Sequence, residues 1–273
     1  MCHPMIMEYV KGKALSRRDF FRGTAAASAA VVASATLAPR PVRAQQAMRA
    51  VDMTYTLTRN FPTYFGEQQF FDEDVFAYAT HGFNLKSLRV NEHTGTHIDA
   101  PLHFTDGGTS IDEVPVDTLV VPLVVVDMKE KADANADAQI TPDDLKAWIA
   151  KHGPIPQGAC VAQNAGWQKR MGSPQFRNAD DAGTMHFPAF HMEAAKMLLE
   201  EADVTGIAVD TLSIDYGQSA DFITHYTWLP ANRWAIECMA NLDDVPPVGA
   251  TLVVGAPKHE GGTGGPCRLI ALV

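Results

Sequence analysis

The chain has 273 residues, of which 46% are hydrophobic and 20% charged, and its formal net charge is −10. So acidic a balance argues against a nucleic-acid or anionic-membrane ligand. Its four cysteines, with no C-x-x-C spacing among them, argue against a disulfide framework or a cysteine-rich zinc site.

Residues 1–44 read as an address. Ser16-Arg17-Arg18-Asp19-Phe20-Phe21 precedes an uncharged, alanine-rich run over residues 23–38 that is too short for a secure membrane span. Val42-Arg43-Ala44 then supplies a small-residue cleavage site. Paired arginines ahead of such a run form the pattern of a twin-arginine signal. The expectation is an exported, periplasmic protein whose mature domain is 45–273, with no membrane span left after cleavage. The leader holds seven basic and two acidic residues, so its removal takes the net charge to about −15. What remains has the length of one domain with a substantial core. Its three cysteines, Cys160, Cys238 and Cys267, are expected as buried free thiols.

Within the mature chain, Val51 to Leu57 alternates apolar and polar residues and predicts a strand. An aromatic loop follows, with Phe61, Tyr64, Phe65, Phe70 and Phe71, and Leu85 to Val90 predicts a second strand. It runs into His93-Thr94-Gly95-Thr96-His97-Ile98-Asp99-Ala100-Pro101-Leu102-His103-Phe104. On an extended backbone, residues i and i+2 share a face, so His97 and Asp99 converge. Gly95 allows a bend that returns His93 beside them, and Pro101 stops a regular central strand. Imidazole with carboxylate suits zinc or a similar divalent metal. His103 stands slightly apart, free for another role.

Asp106-Gly107-Gly108 marks a turn, and residues 120–128 form a nearly continuous apolar run that predicts a buried strand. Residues 133–139 read as a solvated loop. Thr141-Pro142-Asp143-Asp144 opens a helix, with a capping hydroxyl, a proline at the first position and acids at the positive end of the dipole. That helix should stop at Gly153-Pro154. Further strands are expected over 160–162, 204–209, 234–239, 251–254 and 268–273, with a helix over 191–201. Trp167 is expected in the core. Asp210 and Asp215, in the polar stretch after the 204–209 strand, read equally well as turn chemistry and receive no catalytic role. Glu237 sits in an apolar strand, where it either faces water from an edge or is buried with a partner. Gly261-Gly262-Thr263-Gly264-Gly265 lacks the lysine and hydroxyl of a phosphate loop and reads as a flexible connector.

The stretch from His93 to Phe104 resembles the H-x-G-T-H-x-D-x-P-x-H-F motif of the metal-dependent hydrolases called the cyclase family, and every fixed position is present. That family includes bacterial kynurenine formamidase, isatin hydrolase and a dienelactone hydrolase. The resemblance implies an α/β domain of the swivelling β/β/α type, a mixed β core flanked by helices, as a homo-oligomer. It implies that His93, His97 and Asp99 hold one metal ion. Asp99 and Glu237 would bridge to a second that His225 completes, the Glu being followed by Asn241-Leu242 as in the family. Zinc or manganese, one ion or two, are equally compatible with these ligands. His103 becomes the candidate general base, and Phe61, Tyr64 and Phe65 the candidate substrate-contacting group. The implied reaction is hydrolysis of a small aromatic amide by metal-activated hydroxide. An aryl formamide of the kynurenine formamidase type comes first. A cyclic aryl amide of the isatin type or a lactone is the alternative, and the export signal weighs against a formamidase of cytoplasmic tryptophan breakdown. The reading outside enzymology is an exported metal-binding protein.

Overall fold

A computed structural model describes residues 48–273. The signal expected over residues 1–44 lies outside the described residues. In chain order the first strands are β1 (Ala50–Asp52), β2 (Phe70–Phe76), β3 (Leu85–Val90), β4 (His97–Asp99), β5 (Val120–Asp127) and β6 (Gln139–Ile140). They are followed by β7 (Cys160–Asn164), β8 (Ala189–Phe190), β9 (Gly206–Val209), β10 (Trp234–Glu237), β11 (Ala250–Gly255), β12 (Gly264–Pro266) and β13 (Arg268–Leu272).

Nine of these form one mixed sheet in the order β1-β13-β11-β5-β7-β9-β10-β4-β12. The centre, β5, β7, β9 and β10, is parallel, and the strands on both flanks are antiparallel. This is the expected α/β architecture, since helices carry the chain between parallel strands. The Pro142–His152 helix forms where the sequence places it. Thr141 and Asp144 make a reciprocal capping box, and Gly153 ends the helix at φ +92°. The Met192–Glu201 helix begins at His191, whose ring accepts from the Glu193 N–H.

Both helices cover one face of the sheet. There Leu145, Trp148, Ala194, Ala195 and Leu198 pack against Val124, Val126, Val161, Ile207 and Val209. The other face is covered without helices. Leu123, Val125, Ala208 and Ile236 meet Met53, Leu252, Leu269 and Ala271 as the antiparallel flank curls over. β5 is thus buried on both sides, which is why residues 120–128 lack the alternation of a half-exposed strand.

Four expectations change. The first strand ends at Asp52, and beyond it a single bridge joins Thr54 to Met239 beside the end of β10. Residues 133–139 are only partly loop, because the Lys129–Ala134 helix and β6 claim both ends and Ala138 is buried. The glycine-rich connector instead runs into β12, the sheet strand beside β4. Phe70 and Phe71 belong to β2, which pairs with β3 in a separate two-stranded sheet. Cys160, Cys238 and Cys267 are free and buried, as expected, and Trp167 is fully buried. Among the described residues no helix is long and apolar enough to cross a membrane.

Candidate active site

Gly95, at φ +76°, turns the chain into β4, and a Cβ there would stand 2.9 Å from Leu57 Cδ1. After three residues Pro101 opens a single 3₁₀ turn that carries His103. Glu237 of β10 pairs directly with His97, and Ala235 with Asp99. Side chains alternate along a strand, so His97, Asp99 and Glu237 share one face while Ile98 and Ile236 take the other. β10 lies inside the sheet and Glu237 is 7% exposed, which leaves no room for the edge-strand reading of that residue.

The side chains converge. His97 Nε2 lies 3.3 Å from Asp99 Oδ1 and 3.3 Å from Glu237 Oε2. His225, from the Ile223–Trp228 helix, brings its Nε2 to 3.3 Å from Glu237 Oε1 and 3.9 Å from Asp99 Oδ2. His93 Nδ1 is 2.7 Å from Asp99 Oδ1. Asp99, fully buried, is therefore the carboxylate that all three imidazoles approach.

Two rings are oriented from behind. His97 Nδ1–H donates to the Gly95 carbonyl at 2.8 Å, and His225 Nδ1–H donates to Asp215 Oδ2 at 2.6 Å. Each Nε2 is thereby turned inward, the arrangement that fixes metal-binding histidines. Asp215 is itself held by the N–H groups of Thr224 and His225.

His97 Nε2 and Asp99 Oδ2 are buried without a hydrogen-bond partner. Orphaned polar atoms are costly, and a divalent cation among these carboxylates and imidazoles would satisfy both. Burial disfavours charge on His97 and His225. The carboxylates of Asp99 and Glu237 beside the first, and those of Asp215 and Glu237 beside the second, outweigh it and hold each at about 10. His93 and His97 hold Asp99, and His225 and His97 hold Glu237, below the usual carboxylate range despite their burial. The site thus concentrates a demand for positive charge, and the residues present fit a metal ion.

His103 is closer than expected. Its ring stacks on His93 at 3.7 Å, and its nitrogen groups with ligand atoms of His93 and Asp99 within 4.8 Å. Burial pushes its pKa down to about 4, so the imidazole is neutral at pH 7. Above these residues opens a cavity of about 340 Å³ walled by Tyr64, Phe65, Phe104, Leu212 and Phe222. Phe61 is not part of that wall. It is buried in a core cluster against Tyr55 and Phe176, so the aromatic loop divides into a core residue and two cavity residues.

Sequence reasoning left out Asp215, whose part follows from its contact with His225. The only signal was a carboxylate ten residues ahead of that histidine, which a turn would equally explain.

The family model named Cyclase matches residues 51–216. An isatin hydrolase of Roseibium aggregatum is 36% identical over 195 residues, covering 67% of this chain and 73% of the relative. A kynurenine formamidase of Salinibacter ruber is 29% identical over 187 residues, covering 68% and 79%. Among solved structures, isatin hydrolase A from Labrenzia aggregata bound to benzyl benzoate aligns with a TM-score of 0.78 at 35% identity, over 83% of this chain and 94% of that one.

Proposed function

Since the chain belongs to the cyclase family, we propose that it is a metal-dependent amide hydrolase whose ion is held by His93, His97, Asp99, His225 and Glu237. The observation that carries this reading is the convergence of three imidazoles on buried Asp99, with unpartnered His97 Nε2 and Asp99 Oδ2, at the floor of an aromatic cavity. A divalent ion bound there supplies a lowered pKa for a water and polarisation of the amide carbonyl. Zinc and manganese would both suit these imidazole and carboxylate donors, and Asp99, approached by His97 and His225, would be the central one among them.

The chain's own residues do the rest. Tyr64, Phe65, Phe104 and Phe222 present flat apolar walls that seat an aryl ring and exclude water from the reacting amide. His103, neutral at pH 7 and beside the ligands, takes the proton of the attacking water. It returns that proton to the leaving nitrogen as the C–N bond breaks. The test is His103→Ala. Turnover should vanish with bound metal unchanged, and loss of metal in that variant would make His103 a ligand instead.

For the substrate, a cyclic aryl amide of the isatin type is the first choice, because the isatin hydrolase of Roseibium aggregatum is more similar than the kynurenine formamidase of Salinibacter ruber. An aryl formamide is the second. Protein loaded with zinc or manganese is assayed with isatin, N-formylkynurenine and a dienelactone, with and without chelator. Isatin opening lost on chelation and restored by one metal is the expected result. Bound metal without turnover of any of the three would remove the substrate assignment.

Two further proposals concern the whole protein. The paired Arg17-Arg18 supports export by the twin-arginine route to the periplasm. Export should stop in a double lysine variant, and N-terminal sequencing of the exported form should start at residue 45. A homo-oligomer is supported by the β2–β3 hairpin, which exposes Leu85, Leu88, Tyr78 and Phe83. Sedimentation analysis decides it, a monomer at micromolar concentration being the contrary result.

A further inference from the structure

Behind His93 lies a hydrogen-bonded chain that the chemistry above does not use. His93 Nε2 is 2.9 Å from Thr263 Oγ1. The Thr263 hydroxyl donates to Glu92 Oε2 at 2.5 Å, and the Thr263 N–H also points at that carboxylate, 3.2 Å from each oxygen. Glu92 Oε1 in turn meets His259 Nε2 at 2.6 Å. An ionised carboxylate only accepts, so the hydroxyl proton of Thr263 is committed to Glu92. What the hydroxyl offers His93 is a lone pair, and Nε2 must be the donor. With Nε2 committed to Thr263, Nδ1 is the nitrogen left to face a metal; without an ion it donates to Asp99 Oδ1 at 2.7 Å, the place a cation would take.

The glycines around Thr263 have a matching explanation. A Cβ at Gly264 would stand 2.3 Å from the Ile98 carbonyl oxygen and 2.9 Å from His93 Cε1. One at Gly262 would stand 2.2 Å from His259 Nε2 and 2.7 Å from Glu92 Oε1. The segment is glycine-rich because its backbone passes directly against the side chains it organises. It is locked in register by Gly264 opposite Asp99, and by the N–H groups of Ala100 and Ile111 donating to the carbonyls of Thr263 and Gly262.

We propose that Thr263, backed by Glu92, is a positioning residue that fixes the His93 ring with Nδ1 facing the metal, opposite in sense to His97 and His225, which present Nε2. The glycine-rich segment is therefore the strap that completes the metal site. This rests on the proposed metal centre, and the experiment separates the two.

Zinc affinity of the full mature protein is measured by competition with a chromophoric chelator, alongside melting of the metal-free form, for wild type, Thr263→Val and Thr263→Ser. The valine variant keeps the branched shape and loses the hydroxyl. It should bind zinc about 10- to 100-fold more weakly with the metal-free melting temperature unchanged, and serine should restore binding. Long-range proton–nitrogen NMR of the zinc-loaded wild type should show His93 ligated through Nδ1 and protonated at Nε2. Wild-type affinity in the valine variant, failure of serine to restore it, or His93 ligation through Nε2 would each overturn the positioning role while leaving the metal centre standing. A wild type that binds no zinc or manganese would overturn both.

Discussion

The two faces of β4 behave as two different solvents. On one, Ile98 pairs with Ile236 in a dry apolar core. On the other, His97 and Asp99 stand with Glu237 in a cluster of buried charge. Backbone register is common to both, so apolar packing sets the positions that the chemistry uses. Burial favours the first face at roughly 25 cal/mol per Å² of apolar surface and opposes the second unless partners compensate. A sheet can carry a charged centre at alternate positions because the positions between anchor it.

That division can be broken from either side. The largest effect is expected on the polar face. Asp99→Asn removes the carboxylate that all three imidazoles approach, and hydrolysis should fall to below about a thousandth of wild type with metal lost and the fold kept. Retention of metal on dialysis would show that Glu237 suffices.

On the dry face, Ile98→Ala should cost about 2–5 kcal/mol in denaturant unfolding, while metal content and turnover per folded molecule stay at wild-type level. Loss of turnover in a protein still folded would mean the faces are not separable.

A pH series sharpens the comparison next. Asp210 is buried, and burial pushes its pKa up to about 6 although the Ala165 and Trp167 N–H groups donate to it. The unfolded chain holds that proton only to about pH 4. The contribution of Asp210 to stability is therefore complete below pH 4 and is lost as pH rises through 6, by roughly 3 kcal/mol. Urea unfolding of metal-free protein between pH 4 and 7 should show this decline, and Asp210→Asn should flatten it.

The smallest effect belongs to Asp215, whose contact with His225 keeps its carboxyl low despite burial. Asp215→Ala should weaken metal binding about 10- to 100-fold, read by chelator competition, and lower the melting temperature of the metal-free protein, because the Thr224 and His225 N–H groups lose their acceptor.

Much of this was legible in the residues. The i, i+2 spacing of His97 and Asp99 fixed their common face, and the capping residues around Pro142 fixed a helix to the residue. Continuous apolar character over residues 120–128 announced a strand covered on both sides. Asp210 and Asp215 show what a sequence withholds. They are five residues apart after the same strand and both buried, yet one caps the turn at Trp167 and the other orients His225. Only the partner tells them apart, and the partner of Asp215 depends on how the Ile223–Trp228 helix returns. Phe61 and Tyr64 diverge for a similar reason, since which aromatic of a loop turns inward depends on Tyr55 and Phe176 elsewhere. The glycines near Thr263 read as slack because the side chains they accommodate come from residues 92, 93 and 259.

The strap also sets the order in which the protein can be made functional. His93 and Thr263 are 170 residues apart, and β12 reaches β4 only in a sheet that also pairs β1 with β13 across more than two hundred residues. Contacts of such separation form late, after long loops have closed. A chain that has organised only the His93–His103 segment offers a metal one histidine-rich turn, with no Glu237, no His225 and no fixed His93 ring. The full set of ligands, with the His93 ring fixed, therefore exists only once the sheet is complete.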